Sequence, residues 1–244
     1  MKEWFAQFAE KLNNCFIANG YWKWLVEGFK NSLIITFFAL LIGFVIGVIL
    51  AMIRSSYDKN EESLKLRGGF GFWIFKVLNT ICKVYITIIR GVPVVVQLMI
   101  WYFVILVSQD NGVIVAIAAF GFNSAAYVAE IFRGGIMSID KGQFEAGRSL
   151  GYGYVRTMNN VVIPQTIKTV LPTLLNEAIA LLKETSVAGY VGITDLTKAG
   201  DQIRGRTFEA FIPLLAVAAI YLLTVIVLTS VFTALERRLR RNER

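Results

Sequence analysis

The stretch SLIITFFALLIGFVIGVILAMI, residues 32–53, contains no charged side chain. A helix needs about 20 predominantly apolar residues to cross the hydrocarbon core of a bilayer, so this stretch predicts a membrane-spanning helix. Within it, Gly43 and Gly47 stand one helical turn apart, and the bare face they create predicts close contact with another helix. The composition agrees, because 56% of the residues are hydrophobic, 17% are charged and the mean hydropathy is +0.59. Such a chain is too apolar for a soluble domain of its size.

Four further segments are predicted to span the membrane. Three of them are also uncharged, and these are residues 91–109, 111–129 and 210–235. The fourth, residues 161–184, carries lysines and glutamates and is therefore expected to face protein or water rather than lipid. The predicted fold is an all-α integral membrane bundle with five transmembrane helices.

Composition also divides the chain into three parts. They are an outer interfacial amphipathic segment, a transmembrane domain and a basic cytoplasmic tail, at residues 1–27, 28–235 and 236–244. Inside the transmembrane domain, residues 54–90 predict a cytoplasmic loop with a helix along the inner interface, and residues 140–160 predict a second cytoplasmic loop. An alternative stays open, in which the interfacial helix runs directly into the second span, because the residues around Pro93 do not prove a break.

The basic residues predict the orientation. Most of the 25 Lys and Arg residues lie in segments that share one side of the five-span topology, namely 54–90, 133–168 and 237–244. Because cytoplasmic loops are rich in Lys and Arg, the N-terminus is predicted outside and the C-terminus in the cytoplasm. No cleavable signal peptide is expected. The membrane topology accounts for the net charge of +8, so no nucleic-acid partner is expected.

The second cytoplasmic loop has an unusual sequence for a connector. It continues as GQFEAGRSLGYGYVRTMNNVVIP over residues 142–164, which predicts two short helical pieces with a bend at Gly151 and Gly153. An apolar stripe on these pieces would comprise Phe144, Leu150, Tyr154, Val155 and Met158. A water-exposed helix pair has no reason to carry such a stripe unless another surface covers it. The alternative is an interfacial helix that rests on lipid headgroups.

This loop resembles the EAA loop of the permease subunits of bacterial ABC importers. The resemblance rests on Glu145, Ala146, Gly147, Gly151 and Pro164, with Gly147 standing where the pattern has alanine. Three other blocks resemble the polar amino-acid permease family, and they are RGVPVVVQL from Arg90, AAYVAEIFRGGI from Ala125 and LLNEAIALLKETSVAG from Leu174. Together these blocks cover most of residues 90–189.

The resemblance implies that the chain is the permease subunit of an ABC importer of amino acids, polar or charged ones, and it implies a set of partners. The fold would be that of a type I importer, in the bacterial cytoplasmic membrane, and the five loop residues would couple the spans to a separate ATPase. The expected partners are an ABC ATPase dimer, a second permease subunit in a homodimer or heterodimer, an extracytoplasmic amino-acid-binding protein and the lipid bilayer. ATP and Mg would be used by the ATPase, and no cofactor is expected on this chain.

Polar residues inside predicted spans are candidates for the translocation path, because such groups usually face a cavity or a partner. They are Gln97, Asn123, Glu130, Glu177 and Glu184. Glu130 and Arg133 stand three residues apart, so an ion pair within one helix is the simpler interpretation there.

Two other function classes fit the sequence less well. An ion- or proton-coupled secondary amino-acid carrier would suit intramembrane carboxylates, but no repeated halves are visible in the sequence. A membrane enzyme is disfavoured, since the chain has no histidine and shows neither a nucleophile–base constellation, a metal-ligand cluster nor the phosphate-binding pattern GxxxxGK[ST]. Neither a catalytic nor a metal-binding residue is therefore proposed.

Overall fold

The computed structural model describes the backbone of residues 2–241, and their side chains except those of residues 2–5, 60, 62–64, 67 and 239–241. The chain is 89% helical and has no strand in this range. The α-helices are α1 Lys2–Leu12, α2 Trp22–Arg67, α3 Gly69–Gly91, α4 Val94–Ile100, α5 Gly112–Ser138, α6 Lys141–Ser149, α7 Tyr154–Thr157, α8 Ile163–Glu184, α9 Leu196–Thr207 and α10 Phe211–Arg241. The predicted all-α membrane fold is confirmed.

Four stretches of the described residues are long and apolar enough to cross a membrane, and they are Trp22–Lys59, Gly69–Gly91, Gly112–Ser138 and Phe211–Arg238. Three of them include, to within one residue at the start, the predicted spans 32–53, 111–129 and 210–235. The fifth prediction, residues 161–184, corresponds to α8, whose charged residues keep its hydropathy below that of the others. Pro164 does not lie at a free helix start, because the π-helical turn Met158–Val162 joins α7 directly to α8.

The region between the first and third predicted spans differs from the expectation. The predicted loop after residue 54 is wrong, because α2 continues without interruption to Arg67. Polar residues do not end a helix by themselves. Glu61 and Lys65 lie one helical turn apart, and their ion pair of 2.7 Å stabilises this stretch as a helix. The turn comes instead at Gly68 and Gly69, whose φ angles of 59° and 82° favour glycine.

The start of the second span at residue 91 stays a prediction, because an apolar helix also precedes it. α3 is itself long and apolar enough to span, and only Val92 and Pro93 separate it from the shorter apolar helical stretch Val94–Ile105. The alternative in which the interfacial helix leads directly into the second span agrees better with these bounds.

The chain divides into two compact units. Unit 2 comprises Leu40–Pro93, Gly121–Ala178 and Phe232–Arg244. In it α2 lies against α5, and a Cβ on Gly43 or Gly47 would lie 2.9 Å from the Ser124 Cβ or 2.7 Å from the Val128 Cβ. The predicted glycine seam is confirmed by these close approaches.

Unit 1 comprises Met1–Ala39, Val94–Phe120 and Ile179–Val231. Its core gathers Cys15, Leu25, Ile203 and neighbouring residues, and the α1 residue Phe8 packs against it. The Lys11 Nζ lies 2.6 Å from the Glu209 Oε1. The amphipathic N-terminal segment therefore packs on protein at Phe8.

Asp195, also in unit 1, is the N-cap of α9. It is fully buried and accepts hydrogen bonds from the N–H groups of Thr197 and Lys198.

Candidate functional site

The second predicted cytoplasmic loop folds as two short helices, as expected. Asp140 caps the first helix, α6, by accepting a hydrogen bond from the Gly142 N–H. At its C-terminal end, the Gly151 N–H donates to the Arg148 carbonyl at 2.9 Å and the Tyr152 N–H to the Gly147 carbonyl at 3.0 Å. This pair of hydrogen bonds is a Schellman motif, and Gly151 adopts the φ of 77° that the motif requires. α7 follows immediately, so the predicted bend lies at Gly151.

Gly147, the departure from the EAA pattern, lies in the contact between α6 and α7. It is buried, and a Cβ there would lie 2.6 Å from the Thr157 Cγ2 and 2.7 Å from its Oγ1. Real Cβ atoms do not approach other atoms that closely, so an alanine at this position would require the Thr157 side chain or one of the two helices to shift. Glycine therefore allows the close packing of this loop against Thr157.

The predicted apolar stripe divides into two parts. Phe144, Tyr154 and Met158 pack on the chain itself, in a cluster that includes Ile136 near the end of α5 and Val162 just before α8. In contrast, Leu150 and Val155 are 70% and 69% exposed. The inward part fixes the loop to the spans, and the outward part leaves two large apolar side chains without cover within this chain.

The loop also contacts the polar end of α2. The Tyr154 hydroxyl donates to the Ser56 Oγ at 3.3 Å, and the Lys59 ammonium lies 3.7 Å from the centroid of the Phe144 ring, within the range of a cation–π interaction. Glu145 lines a cavity of about 420 Å³ together with Asp58, Lys59 and Arg148. The end of α2, which was predicted to be a loop, is thus in direct contact with the EAA region.

Glu130 is the centre of an ion-pair cluster. Its Oε1 accepts from the Arg54 Nη1 at 2.5 Å, and its Oε2 lies 3.2 Å from the Arg133 Nη2 and 4.0 Å from the Arg90 Nη1. Arg133 also lies 3.5 Å from Asp58. The predicted pair of Glu130 and Arg133 is confirmed, and it belongs to a network that joins α2, α3 and α5.

The other predicted path residues lie in different places. Within unit 2, the Ser124 hydroxyl donates to Glu177 at 3.1 Å, and Asn123 is buried on α5. Within unit 1, Gln97 is buried on α4 and Glu184 is the last residue of α8. The assignment of all five residues to the translocation path stays a prediction, as does the coupling role of the loop residues.

The sequence did not predict a functional role for Arg54, Ser56, Asp58 and Lys59, because the charged segment after the first span was expected to be a loop. The available signal was the lack of any proline or glycine between Arg54 and Arg67, which favours an unbroken helix. No group of three or more His, Cys, Asp and Glu side chains that could hold a metal ion occurs in the described part of the chain.

Comparison with known proteins gives concordant matches. A family model described as "binding-protein-dependent transport system inner membrane component" matches residues 68–241. The arginine transport system permease protein ArtQ of Bacillus subtilis (strain 168) is 33% identical over 222 residues, which cover 90% of this chain and 94% of that protein. The glutamine transport system permease protein GlnP of Escherichia coli (strain K12) is 36% identical over 220 residues, with 88% and 93% covered.

Solved structures agree with these sequence matches. A crystal structure of an amino acid ABC transporter with histidines superimposes with a TM-score of 0.76 at 34% identity, covering 89% of this chain and 95% of that one. An inward-facing MetNI methionine ABC transporter has a TM-score of 0.75 at 21% identity, which supports the fold alone. The chain covers nearly the whole length of each relative. It therefore belongs to the family of inner membrane components of binding-protein-dependent transport systems.

Proposed function

We propose that this chain is the permease subunit of an ATP-driven importer that moves amino acids, with polar or charged side chains, across the bacterial cytoplasmic membrane. The observation that carries the proposal is the EAA loop, a capped helix pair fixed to the ends of α5 and α8 and bearing the exposed Leu150 and Val155. Relatives named for arginine and glutamine transport support the substrate class. The family match does not favour the alternative of a secondary carrier.

In this proposal a dimer of ABC ATPase subunits binds the loop through Leu150 and Val155, with Glu145, Ala146, Gly147, Gly151 and Pro164 shaping the coupling element. ATP and Mg are used by the ATPase, and this chain binds no cofactor. A second permease subunit and an extracytoplasmic amino-acid-binding protein complete the importer. The N-terminus lies outside and the C-terminus in the cytoplasm, as the distribution of basic residues indicates.

The mechanism follows from the contacts of the loop. Movement of the ATPase would displace α6 and α7, and two routes lead from there into the spans. One is the apolar cluster at Ile136 and Val162, and the other is the contact of Phe144 and Tyr154 with α2. Because packed side chains transmit displacement rather than absorb it, both routes would rearrange the helices that enclose the path.

The test is reconstitution with candidate ATPases in proteoliposomes. Uptake of amino acids is expected to require ATP and to survive collapse of ion gradients, and uptake driven by a gradient alone would contradict the proposal. Replacing both exposed side chains, Leu150→Asp with Val155→Asp, is expected to abolish ATPase co-purification and uptake. Leu66→Asp is the matched control, because Leu66 is 90% exposed on the end of α2 and lies outside the proposed contact. Equal loss in both variants would place the ATPase contact elsewhere.

A further inference from the structure

A cavity of about 530 Å³ lies beside the Glu130 cluster, inside unit 2. One face of α3 forms one wall, and the remaining walls come from α2 and α5. The lining residues are Arg54, Lys83, Ile86, Thr87, Arg90, Gly91, Tyr127, Glu130 and Arg133. The α3 residues follow a spacing of three and four, which places them on a single helix face.

The cavity carries an excess of positive charge. Four of its lining side chains are cationic, at Arg54, Lys83, Arg90 and Arg133, and Glu130 supplies the one carboxylate in its lining. That carboxylate is already contacted by all three arginines. Lys83 forms no ion pair with any carboxylate among the described side chains. Cations beside membrane-spanning helices are costly without a counter-charge, so the cavity is suited to an anion.

The surface of α3 next to the cavity is apolar. Val77, Ile81, Val84 and Ile88 are each between 50% and 59% exposed, and they form a stripe beside the cationic face. A ligand that fits both surfaces has an anionic head and hydrocarbon chains. Inorganic phosphate would satisfy the cations but leave this stripe unused. Basic pockets between membrane helices bind the headgroups of anionic lipids elsewhere on these same principles.

We propose that this cavity binds the phosphate group of an anionic phospholipid, whose acyl chains lie along the apolar stripe of α3. Lys83 and Arg90 contact the phosphate from α3, and Arg54 and Arg133 hold the opposite side while they remain paired with Glu130. The inference is independent of the transported substrate and of the ATPase contact.

The experiment uses the full chain, purified in an uncharged detergent, with lipid binding followed by native mass spectrometry and by the shift in melting temperature. Phosphatidylglycerol is expected to bind and to raise the melting temperature, whereas phosphatidylcholine and inorganic phosphate at equal concentration do neither. Lys83→Gln is expected to weaken phosphatidylglycerol binding about fivefold, the scale of one basic side chain at an anionic lipid. Arg90→Gln provides a second variant.

Lys76→Gln is the matched control. Lys76 stands one heptad before Lys83 on the same helix, but its ammonium lies 5.0 Å from the centroid of the Trp73 ring and does not line the cavity. Binding in this variant is expected to equal that of the unmodified protein. Equal loss in Lys76→Gln and Lys83→Gln would overturn the proposal, as would equal binding of phosphatidylcholine. Saturation by inorganic phosphate alone, or displacement of lipid by a free amino acid, would show instead a site for a soluble anion.

Discussion

Gly147 and Thr157 determine how closely the two helices of the EAA loop can pack. A methyl group at position 147 would lie 2.6 Å from the Thr157 Cγ2, so we expect Gly147→Ala to separate α6 from α7. Overpacking of this kind typically costs about 1–3 kcal/mol. The variant should retain its spans but lose ATPase co-purification, which a pull-down with the ATPase measures.

The control is the double variant Gly147→Ala with Thr157→Ala. The Thr157 Oγ1 is buried and has no hydrogen-bond partner among the described side chains and backbone, so its removal costs little and makes room for the new methyl group. Co-purification is expected to return in the double variant. If the single variant already binds the ATPase normally, the packing explanation for the glycine is wrong.

Asp195 supports a second residue-scale prediction, in unit 1. Burial raises the pKa of its carboxyl above the ordinary value of 3.8, and the N–H groups of Thr197 and Lys198 oppose that rise. The folded chain therefore holds this proton more tightly than the unfolded chain does. The contribution of the group to stability is greatest below pH 3.8 and falls as pH rises toward the raised folded pKa.

Two substitutions distinguish the helix-capping role of Asp195 from the effect of its charge. Asp195→Ala removes both accepted hydrogen bonds and is expected to lower the free energy of unfolding by about 1 kcal/mol at neutral pH. Asp195→Asn keeps one acceptor, so its loss should be smaller, and it should abolish the part of the pH dependence that this carboxyl contributes. Melting curves at several pH values, followed by tryptophan fluorescence in detergent, test both. An unchanged pH dependence in Asp195→Asn would contradict the assignment.

At the scale of elements, the contact of α2 with α5 depends on Gly47. A Cβ there would lie 2.7 Å from the Val128 Cβ and 2.9 Å from the Ala125 carbonyl oxygen, and a backbone atom cannot move aside cheaply. Gly47→Ala is therefore expected to lower the melting temperature. Gly134→Ala on α5 is the control, because its Cβ would meet nothing within 4 Å and alanine favours helix. Equal destabilisation by both would refute the seam.

The sequence predicted helices and their contacts well where a single property, such as the absence of charge or the spacing of glycines, determines them. Uncharged runs located three of the long apolar helices, and the glycine spacing predicted the seam between α2 and α5. The sequence-based prediction failed at residues 55–67, because α2 continues through this charged segment and charge alone does not mark the end of a helix. The ion-pair cluster was only partly predictable, because the partners of Glu130 on α2 and α3 lie far from it in sequence and only packing brings them together.

At the scale of the whole molecule, the orientation in the membrane can be tested by labelling. Asp110→Cys and Arg156→Cys place exposed thiols in the turn before α5 and in the EAA loop. The native Cys15 and Cys82 are buried, at 0% and 4% exposure, and should give little background. In intact cells, a membrane-impermeant maleimide is expected to label residue 110, and residue 156 only after permeabilisation. The reverse pattern would invert the predicted topology.

The uninterrupted course of α2 also bears on how a permease of this kind can move. The same helix carries Gly43 and Gly47 against α5 and, three turns later, Ser56 and Lys59 against the EAA loop. An unbroken helix of this kind has no hinge between the EAA loop and the glycine contact. If the loop is displaced as proposed, α2 is expected to move as one unit, so the displacement should reach its glycine contact with α5.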